Sequence, residues 1–515
     1  MGRATKNRQK SRPMISSDVS VLQEPPIEFR YGQRLSDPHD GLAMFGPYDT
    51  DLPSHPRNIS YGFVGTAGGL NRFQEFAERL RASITVDGDD HAKRRWPTFP
   101  GFEAAFHSAW PTGPTRSVTL DEQALIGAAK NKDANQRAGI VVDSYLDGIR
   151  RIAESDEAVG LVVCVVPDIV YLNCRPESRV TDGLGVSIPP AERKLRASGQ
   201  QDFITHYDSA HYQYSVDFRR QIKARAMRHN IPIQIVREST LRLDSEVAEQ
   251  ERGLTTLSDR AWNLGVAIYY KCGGKPWRLA TARDGVCYIG IAYRLTGKGR
   301  GGRSACCAAQ MFLDTGDGIV FRGQDGRWYS PEKNEFHLNK PAARNLLAGV
   351  LKSYAELEGK PLREVFLHCR SYIAGEEWDG FREACPAGVK VVGIRVRHVY
   401  DDVRLYREGT RPVLRGTFWQ VSETSGYLWG TGFKPRLGTY DGWETPAPVR
   451  IDIQRGEAEL HQTAQDILGL TKLNYNACRL GESEPVTIKF SNAVGEILVS
   501  NPSVINTSPK FKFYI

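Results

Sequence analysis

Short segments with no polar residue at all constrain this chain most. Leu161–Val166 reads LVVCVV, behind an amphipathic helix pattern over 138–155. A strand that is apolar at every position has to be buried on both faces, which parallel sheets covered by helices provide. The alternation starts earlier, with a strand signal at Tyr61–Gly65 and a helix signal over 70–82. It continues with helix 214–229 and strand 231–236. From about 256 the order changes. A helix over 257–270 is apolar nearly all round and is expected to lie buried between two domains. Strands at 286–294, 304–313 and 318–322 follow, then helix 342–358, strand 365–368, helix 376–384 and strand 389–396. Three antiparallel strands and then helix–strand–helix–strand is the order of a ribonuclease-H-like domain. The expected fold is thus α/β, a Rossmann-like domain followed by a ribonuclease-H-like one. The divisions are 1–24 as a basic unstructured lead, 25–255 and 256–515.

The 515 residues suffice for two or three domains with real cores. No apolar run reaches the roughly 20 residues of a membrane helix, and no apolar stretch follows the basic start MGRATKNRQKSRP. Nine scattered cysteines without a CxxC pair point to neither a zinc site nor a disulfide framework, and a reduced cytoplasm suits them. The formal charge is +8. Five of those charges (Arg3, Lys6, Arg8, Lys10, Arg12) lie within residues 1–12 with no acid among them, which leaves +3 for the rest. Any site for a polyanion is therefore local rather than a property of the whole surface.

One such site is legible. Phe218, Ile222 and Ala226 form the core stripe of helix 214–229, and Arg219 and Lys223 sit one step round on a shared face. Gln234 stands in the next strand among Ile231, Ile233 and Ile235, where an unpartnered amide costs roughly 1–3 kcal/mol. Lys271 ends the apolar helix before Gly273 and Gly274. Converging donors of this kind suit a terminal phosphate, which one surface lysine holds weakly. On spacing alone a second reading stands beside it: a solvated basic helix, a satisfied core glutamine, and a lysine that complements a helix dipole.

Longer motifs carry a resemblance. Residues 209–240 (SAHYQYSVDFRRQIKARAMRHNIPIQIVREST) and 261–294 (AWNLGVAIYYKCGGKPWRLATARDGVCYIGIAYR) resemble the junction of the MID and PIWI domains of prokaryotic Argonautes. GLAMFGPYD at 41–49 and VVCVVPDIVYLNC at 162–174 resemble the N-terminal part of the short members. ILGLTKLNYNACRLGESEPVTIKFSNAVGEIL at 467–498 resembles the PIWI C-terminus. The resemblance covers nearly everything but the basic lead. It implies that Arg219 (a tyrosine in many members), Lys223, Gln234 and Lys271 anchor a guide 5′-phosphate, with Thr240 as a further polar contact. Ala267 replaces a neighbouring lysine of the family. Ile515 is expected to turn its terminal carboxylate into the pocket, with Mg²⁺ as the ion it would share with the phosphate. The tail 511–515 alternates apolar and polar at its start, as a docked final strand does.

Two-metal hydrolysis needs several carboxylates, or carboxylates with histidine, to hold cations roughly 3.5–4 Å apart. In cleaving Argonautes the first aspartate follows a Gly-aliphatic pair; here Gly290-Ile291 leads to Ala292. The later positions read His368-Cys369-Arg370-Ser371 and Ser491-Asn492-Ala493, while Asp284 precedes the first strand. A non-enzymatic member is therefore expected. The resemblance implies a short MID–PIWI protein that binds a guide RNA and a complementary single-stranded DNA target without cutting it. It also implies an APAZ-domain partner in a heterodimer, carrying a SIR2, TIR or nuclease effector, in antiviral defence by abortive infection. The loop 296–303 (TGKGRGGR) offers Lys298, Arg300 and Arg303 to a phosphate backbone, or is a solvated hairpin; HAKRR at 91–95 divides the same way. Gly297, Gly299 and Gly302 spell GxGxxG, but a strand signal follows where a dinucleotide site needs a helix, so no NAD is expected in this chain. Two other readings remain: a guide-directed nuclease with metal ligands elsewhere, and a structural nucleic-acid-binding subunit that ignores the 5′-phosphate.

Overall fold

The computed structural model describes residues 18–176, 178, 180, 215–243, 255–296, 303–312, 318–321, 325–326, 328–330, 335–358, 361–399, 403–440, 442, 444–500 and 510–515. The first sheet has four parallel strands in the order Arg116–Thr119, Tyr61–Gly65, Leu161–Val166, Ile233–Arg237. Every residue of Leu161–Val166 is buried. Its side chains alternate between two cores, as the period of two requires. Val162, Cys164 and Val166 meet helices Ala134–Ala153 and Phe218–Ala226, while Leu161, Val163 and Val165 share the other core with helix Ala67–Arg79. Gly148 lets the 20-residue helix Ala134–Ala153 approach the sheet, since a Cβ there would lie 2.6 Å from Val64 Cγ1.

Helix Leu257–Lys271 is buried along almost its whole length and joins the core of this sheet to that of the second. A helix buried this completely needs apolar neighbours all round, and its residues share one cluster with residues of both sheets. Among the described residues the second sheet has ten strands. Its path runs Val19–Val21, Thr417–Gln420, Ser425–Leu428, Val449–Arg455, Lys390–His398, Glu364–Cys369, Val286–Thr296, Arg303–Phe312, Gly318–Phe321, with Asp325–Gly326 off this path on Arg303–Phe312. Glu364–Cys369 is parallel to both neighbours, and Val286–Thr296, Arg303–Phe312 and Gly318–Phe321 run antiparallel in turn. Helices Lys340–Glu358 and Gly375–Ala384 cover one face; Leu460–Leu470 and Val486–Leu498 cover the other. The fold is α/β, Rossmann-like and then ribonuclease-H-like, as the sequence order indicates.

Two expectations are corrected. The lead does not stay unstructured to residue 24. Val19–Val21 pairs antiparallel with Thr417–Gln420, and Glu24 binds Arg415 at 3.0 Å and Lys472 at 2.8 Å. Both cationic side chains are 1% exposed, so this distant carboxylate is their charge partner. The C-terminus is not a final strand: Phe511–Phe513 forms one 3₁₀ turn. A turn buries Phe511, Phe513, Tyr514 and Ile515 together, which a strand with one wet face cannot do. Phe511 packs edge-on against Phe490.

Removing one partner of a buried ion pair leaves an uncompensated charge. Glu24→Ala should therefore lower the unfolding free energy by roughly 3–5 kcal/mol in urea denaturation. The exposed Asp40–Arg436 pair is the control, and Asp40→Ala should cost less than about 1 kcal/mol.

Candidate nucleic-acid interface

The edge strand Ile233–Arg237 forms one wall of a cavity of about 410 Å³. Arg219, Gln234 and Thr240 line it, and Lys223, Lys271 and Ile515 do not. The sequence-predicted set therefore converges in two layers. Asp217 caps helix Phe218–Ala226 through the amides of Arg219 and Arg220, so the helix begins where its first cation faces the cavity. Arg219 is exposed. One turn on, half-buried Lys223 donates to the Tyr514 carbonyl at 3.1 Å. Ile515, the next residue, is buried at 4% exposure.

Lys271 stands behind the cavity wall at 1% exposure. Its ammonium donates to the Ile233 carbonyl at 3.0 Å and to Gln234 Oε1 at 2.6 Å. The glutamine that looked misplaced among isoleucines thus has a partner for its oxygen, and its amide nitrogen is directed to the Ile235 carbonyl at 3.2 Å. Thr240 is set by its own carbonyl, which accepts from Arg260 at 2.8 Å.

Cationic side chains are concentrated here, with Asp259 among the residues that line the same cavity. Burial lowers Lys223 to about 7, with repulsion from Arg219 adding to it and Asp217 opposing it. Lys271 is held well below the usual lysine range by burial first, then by Lys223 and Arg219. Neither ammonium forms an ion pair with a carboxylate among the described residues. A buried amine, a half-buried one and an exposed guanidinium that repel one another are an arrangement that an anion relieves.

A second region lies on the large sheet. In the register of the parallel pair, Cys369 sits opposite Ile291, which places Arg370 beyond it on the side of Ala292. Arg370 is ion-paired to Glu484 at 2.6 Å, and His398 approaches the same carboxylate at 3.6 Å. Burial drops His368 to about 3, and its Nδ1 meets Thr487 Oγ1 at 2.9 Å. Gly290 is required by the crossing of helix Val486–Leu498, because a Cβ would fall 1.8 Å from the Thr487 carbonyl oxygen. Among the described residues no group of three or more His, Cys, Asp or Glu side chains could hold a metal ion. Asp284 is in the turn before the strand. Lys298 and Arg300 lie outside the described residues, as do Gly297, Gly299 and Gly302. Arg303 opens its strand opposite Thr296, with its side chain likewise outside.

Against solved structures, the chain superposes on Clostridium butyricum Argonaute bound to a guide DNA and a 19-mer target DNA with a TM-score of 0.58 and 14% identity. That match covers 97% of this chain and 55% of the other. The fold is an Argonaute fold. A. aeolicus Argonaute matches with TM-score 0.56 and 13% identity over 96% of this chain and 55% of its own. Drosophila Piwi matches with 0.55 and 11% over 96% and 56%. This chain therefore spans a little over half the length of these Argonaute structures. No family model and no curated protein matches the sequence. Among the described residues no helix is long and apolar enough to cross a membrane.

On this Argonaute fold the cavity has residues that sequence reasoning missed. Tyr171, Arg237, Asn263 and Arg479 line it beside the expected ones. Tyr171 and Arg237 follow or end strands of the parallel sheet, and the carboxyl ends of such strands are where ligands of α/β sheets are held. That rule was the available signal; Asn263 and Arg479 gave none.

The lysine values set a pH dependence. An anion stabilises charged Lys223, so binding raises its pKa above about 7 and takes up a proton. Affinity for a 5′-phosphorylated oligonucleotide should thus be greatest between about 6, where the phosphate takes its second proton, and about 7, and fall as pH rises through that value. The slope should approach about one log unit per pH unit for the one proton, until the bound-state pKa is passed. Titrations against phosphorylated and hydroxyl ends should show the slope for the first alone, and permanently charged Lys223→Arg should flatten it. Equal slopes for both ends would place the proton elsewhere.

Proposed function

We propose that this protein binds a short guide oligonucleotide by its 5′-phosphate and pairs it with a complementary strand. One observation carries the reading: Arg219 and Gln234 line one cavity, Lys271 donates to Gln234 from behind its wall, and Lys223 and Arg219 lie near enough to depress the Lys271 ammonium, neither lysine being ion-paired to a carboxylate among the described residues. Arg219 and the Gln234 amide meet the phosphate directly. Lys223 supplies charge through the C-terminal residues, and Lys271 fixes the Gln234 amide from behind. The match to a fold seen with guide and target DNA supports the same reading.

The guide is RNA and the target single-stranded DNA in this proposal, as the sequence resemblance implies. Any Mg²⁺ would come with the phosphate and neutralise its charge beside Arg219; Ile515 does not line the cavity, so its carboxylate has no part in this proposal. The duplex is held by its backbone while base pairing carries the sequence information. No cleavage follows. Arg370 stands by Ala292 where a metal ligand is needed, and its charge disfavours a cation there. The effector chemistry belongs to a partner with an APAZ domain and a SIR2, TIR or nuclease unit, switched on by target binding in defence against invading DNA. The setting is cytoplasmic.

Binding of 5′-phosphorylated and 5′-hydroxyl RNA to the purified chain tests the core of this. The wild type should prefer the phosphate by at least about tenfold, since charged hydrogen bonds contribute roughly 1.5–3 kcal/mol each. The double variant Lys223→Ala/Lys271→Ala should lose that preference while unfolding at a similar temperature. Unchanged preference in a folded double variant would refute the anchor assignment. Incubation of the guide-loaded chain with matched DNA in Mg²⁺ or Mn²⁺ should leave the DNA intact; slicing would establish the nuclease reading instead.

A further inference from the structure

Among the described residues the large sheet has an open end at Val19–Val21, which pairs with Thr417–Gln420 on one side alone. The Leu22 amide donates to the Gly416 carbonyl at 2.8 Å, and the Gln420 amide donates to the Asp18 carbonyl at 3.2 Å. Residues 18 and 22 are therefore in hydrogen-bonded positions. In an antiparallel ladder such positions alternate with residues whose backbone groups point the other way. The amides and carbonyls of Val19 and Val21 thus face out of the sheet. Edges of this kind are usually blunted by charge or proline. Here the two outward residues are valines, at 50% and 56% exposure.

The side chains continue the pattern. Val19 stands opposite Trp419, Trp419 opposite Tyr427 and Tyr427 opposite Arg450, so one row crosses four strands on one face. Trp419 and Tyr427 are half-buried and stacked, with centroids 5.5 Å apart. The core that packs with helices Lys340–Glu358 and Gly375–Ala384 includes no residue of these four strands. Beside Val21 lies a cavity of about 380 Å³, walled by Leu22, Leu35, Leu414, Pro435 and Leu480 as well. Glu24, Asp37 and Asp40 also line it, and each is already paired, with Arg415, His39 and Arg436. The room left suits an apolar side chain.

We propose that Val19–Val21 is the docking edge for an extended segment of a second, different protein, which adds a strand to the large sheet and seats an apolar side chain in this cavity. The proposal rests on the reading above only in taking a partner protein to exist; the phosphate site has no part in it. Four outward backbone groups specify a strand, because main-chain bonds from an added strand satisfy them whatever its sequence. Neighbouring strands lie about 4.8 Å apart, so the row of Val19, Trp419 and Tyr427 specifies apolar side chains at alternate positions of the newcomer. A second copy of this chain fits less well. With Val19 opposite Val21 of the other copy, Leu22 would meet the other copy's Asp18, an acid brought to a cavity that already holds Glu24, Asp37 and Asp40.

The test selects short random peptides, displayed on phage, against the full chain and then measures the enriched sequences as soluble peptides. They should alternate apolar residues, lack proline, and bind Val21→Pro about tenfold or more weakly than the wild type. That change removes an outward donor while keeping the ladder with Thr417–Gln420. Leu35→Trp, which fills the cavity, should weaken the same peptides. The unfolding temperature reports whether Val21→Pro is folded; should it not be, Val21→Lys on the same exposed edge makes the same comparison. No enrichment on the wild type, or peptides that bind wild type and variant alike, would overturn the docking edge and leave the phosphate reading intact. Sedimentation that shows a wild-type dimer and a Val21→Pro monomer would assign the edge to a second copy and overturn the proposal as well. If phosphorylated and hydroxyl RNA ends bind alike while the peptides still depend on Val21, the guide reading falls and the docking edge stands.

Discussion

A buried ammonium without a carboxylate organises this molecule's candidate site. Lys271 ends the helix that separates the two sheets, so its place is fixed by the burial of everything before it on that helix. From there its only described hydrogen-bond acceptors are two oxygens of the edge strand, the Ile233 carbonyl and the Gln234 amide. That choice orients Gln234 and makes the strand, the helix end and the cavity one unit. It also leaves the charge poorly satisfied, since neutral acceptors offset burial of a cation only in part.

The helix Leu257–Lys271 explains why the two lobes hold together. Ala261, Trp262, Val266 and Tyr269 share one continuous core with residues of both sheets. Polar bonds pin the same helix to outlying segments. The Tyr269 hydroxyl donates to buried Asp49, and Trp262 Nε1 reaches the carbonyls of Pro97 and Thr98. Arg260 gathers the carbonyls of Thr255, Thr240 and Arg242, which ties the cavity lip to the helix start. These bonds tie the cavity lip and the outlying segments to one helix.

Much of this was readable from sequence because periodicity reports burial. Leu161–Val166 could only be a central strand, and Phe218, Ile222 and Ala226 marked the core face of the helix that presents Arg219 and Lys223. Gln234 was conspicuous for being polar between isoleucines. What failed to show was tertiary in origin. Val19–Val21 has three exposed residues and no strong pattern, and it is a strand because Thr417–Gln420 offers it an edge. The end of the chain alternates like a strand, yet turns to bury all its aromatic rings. Tyr171 and Arg237 sit 66 positions apart and meet only because the third and fourth strands of the first sheet are neighbours. Lys223 and Lys271 were expected in the cavity itself, and burial depth is not encoded in spacing.

The pairing of Glu24 with Arg415 joins residues 391 apart in sequence. The first lobe is therefore an insertion between two pieces of the second: its chain leaves the large sheet after Val21 and comes back only at Val286. Such a topology has high contact order and delays closure of the sheet until remote segments have met. It also means that severing the chain between the lobes yields no autonomous pair of fragments, because the larger piece would keep Arg415 and Lys472 in its interior with their counter-charge on the other molecule.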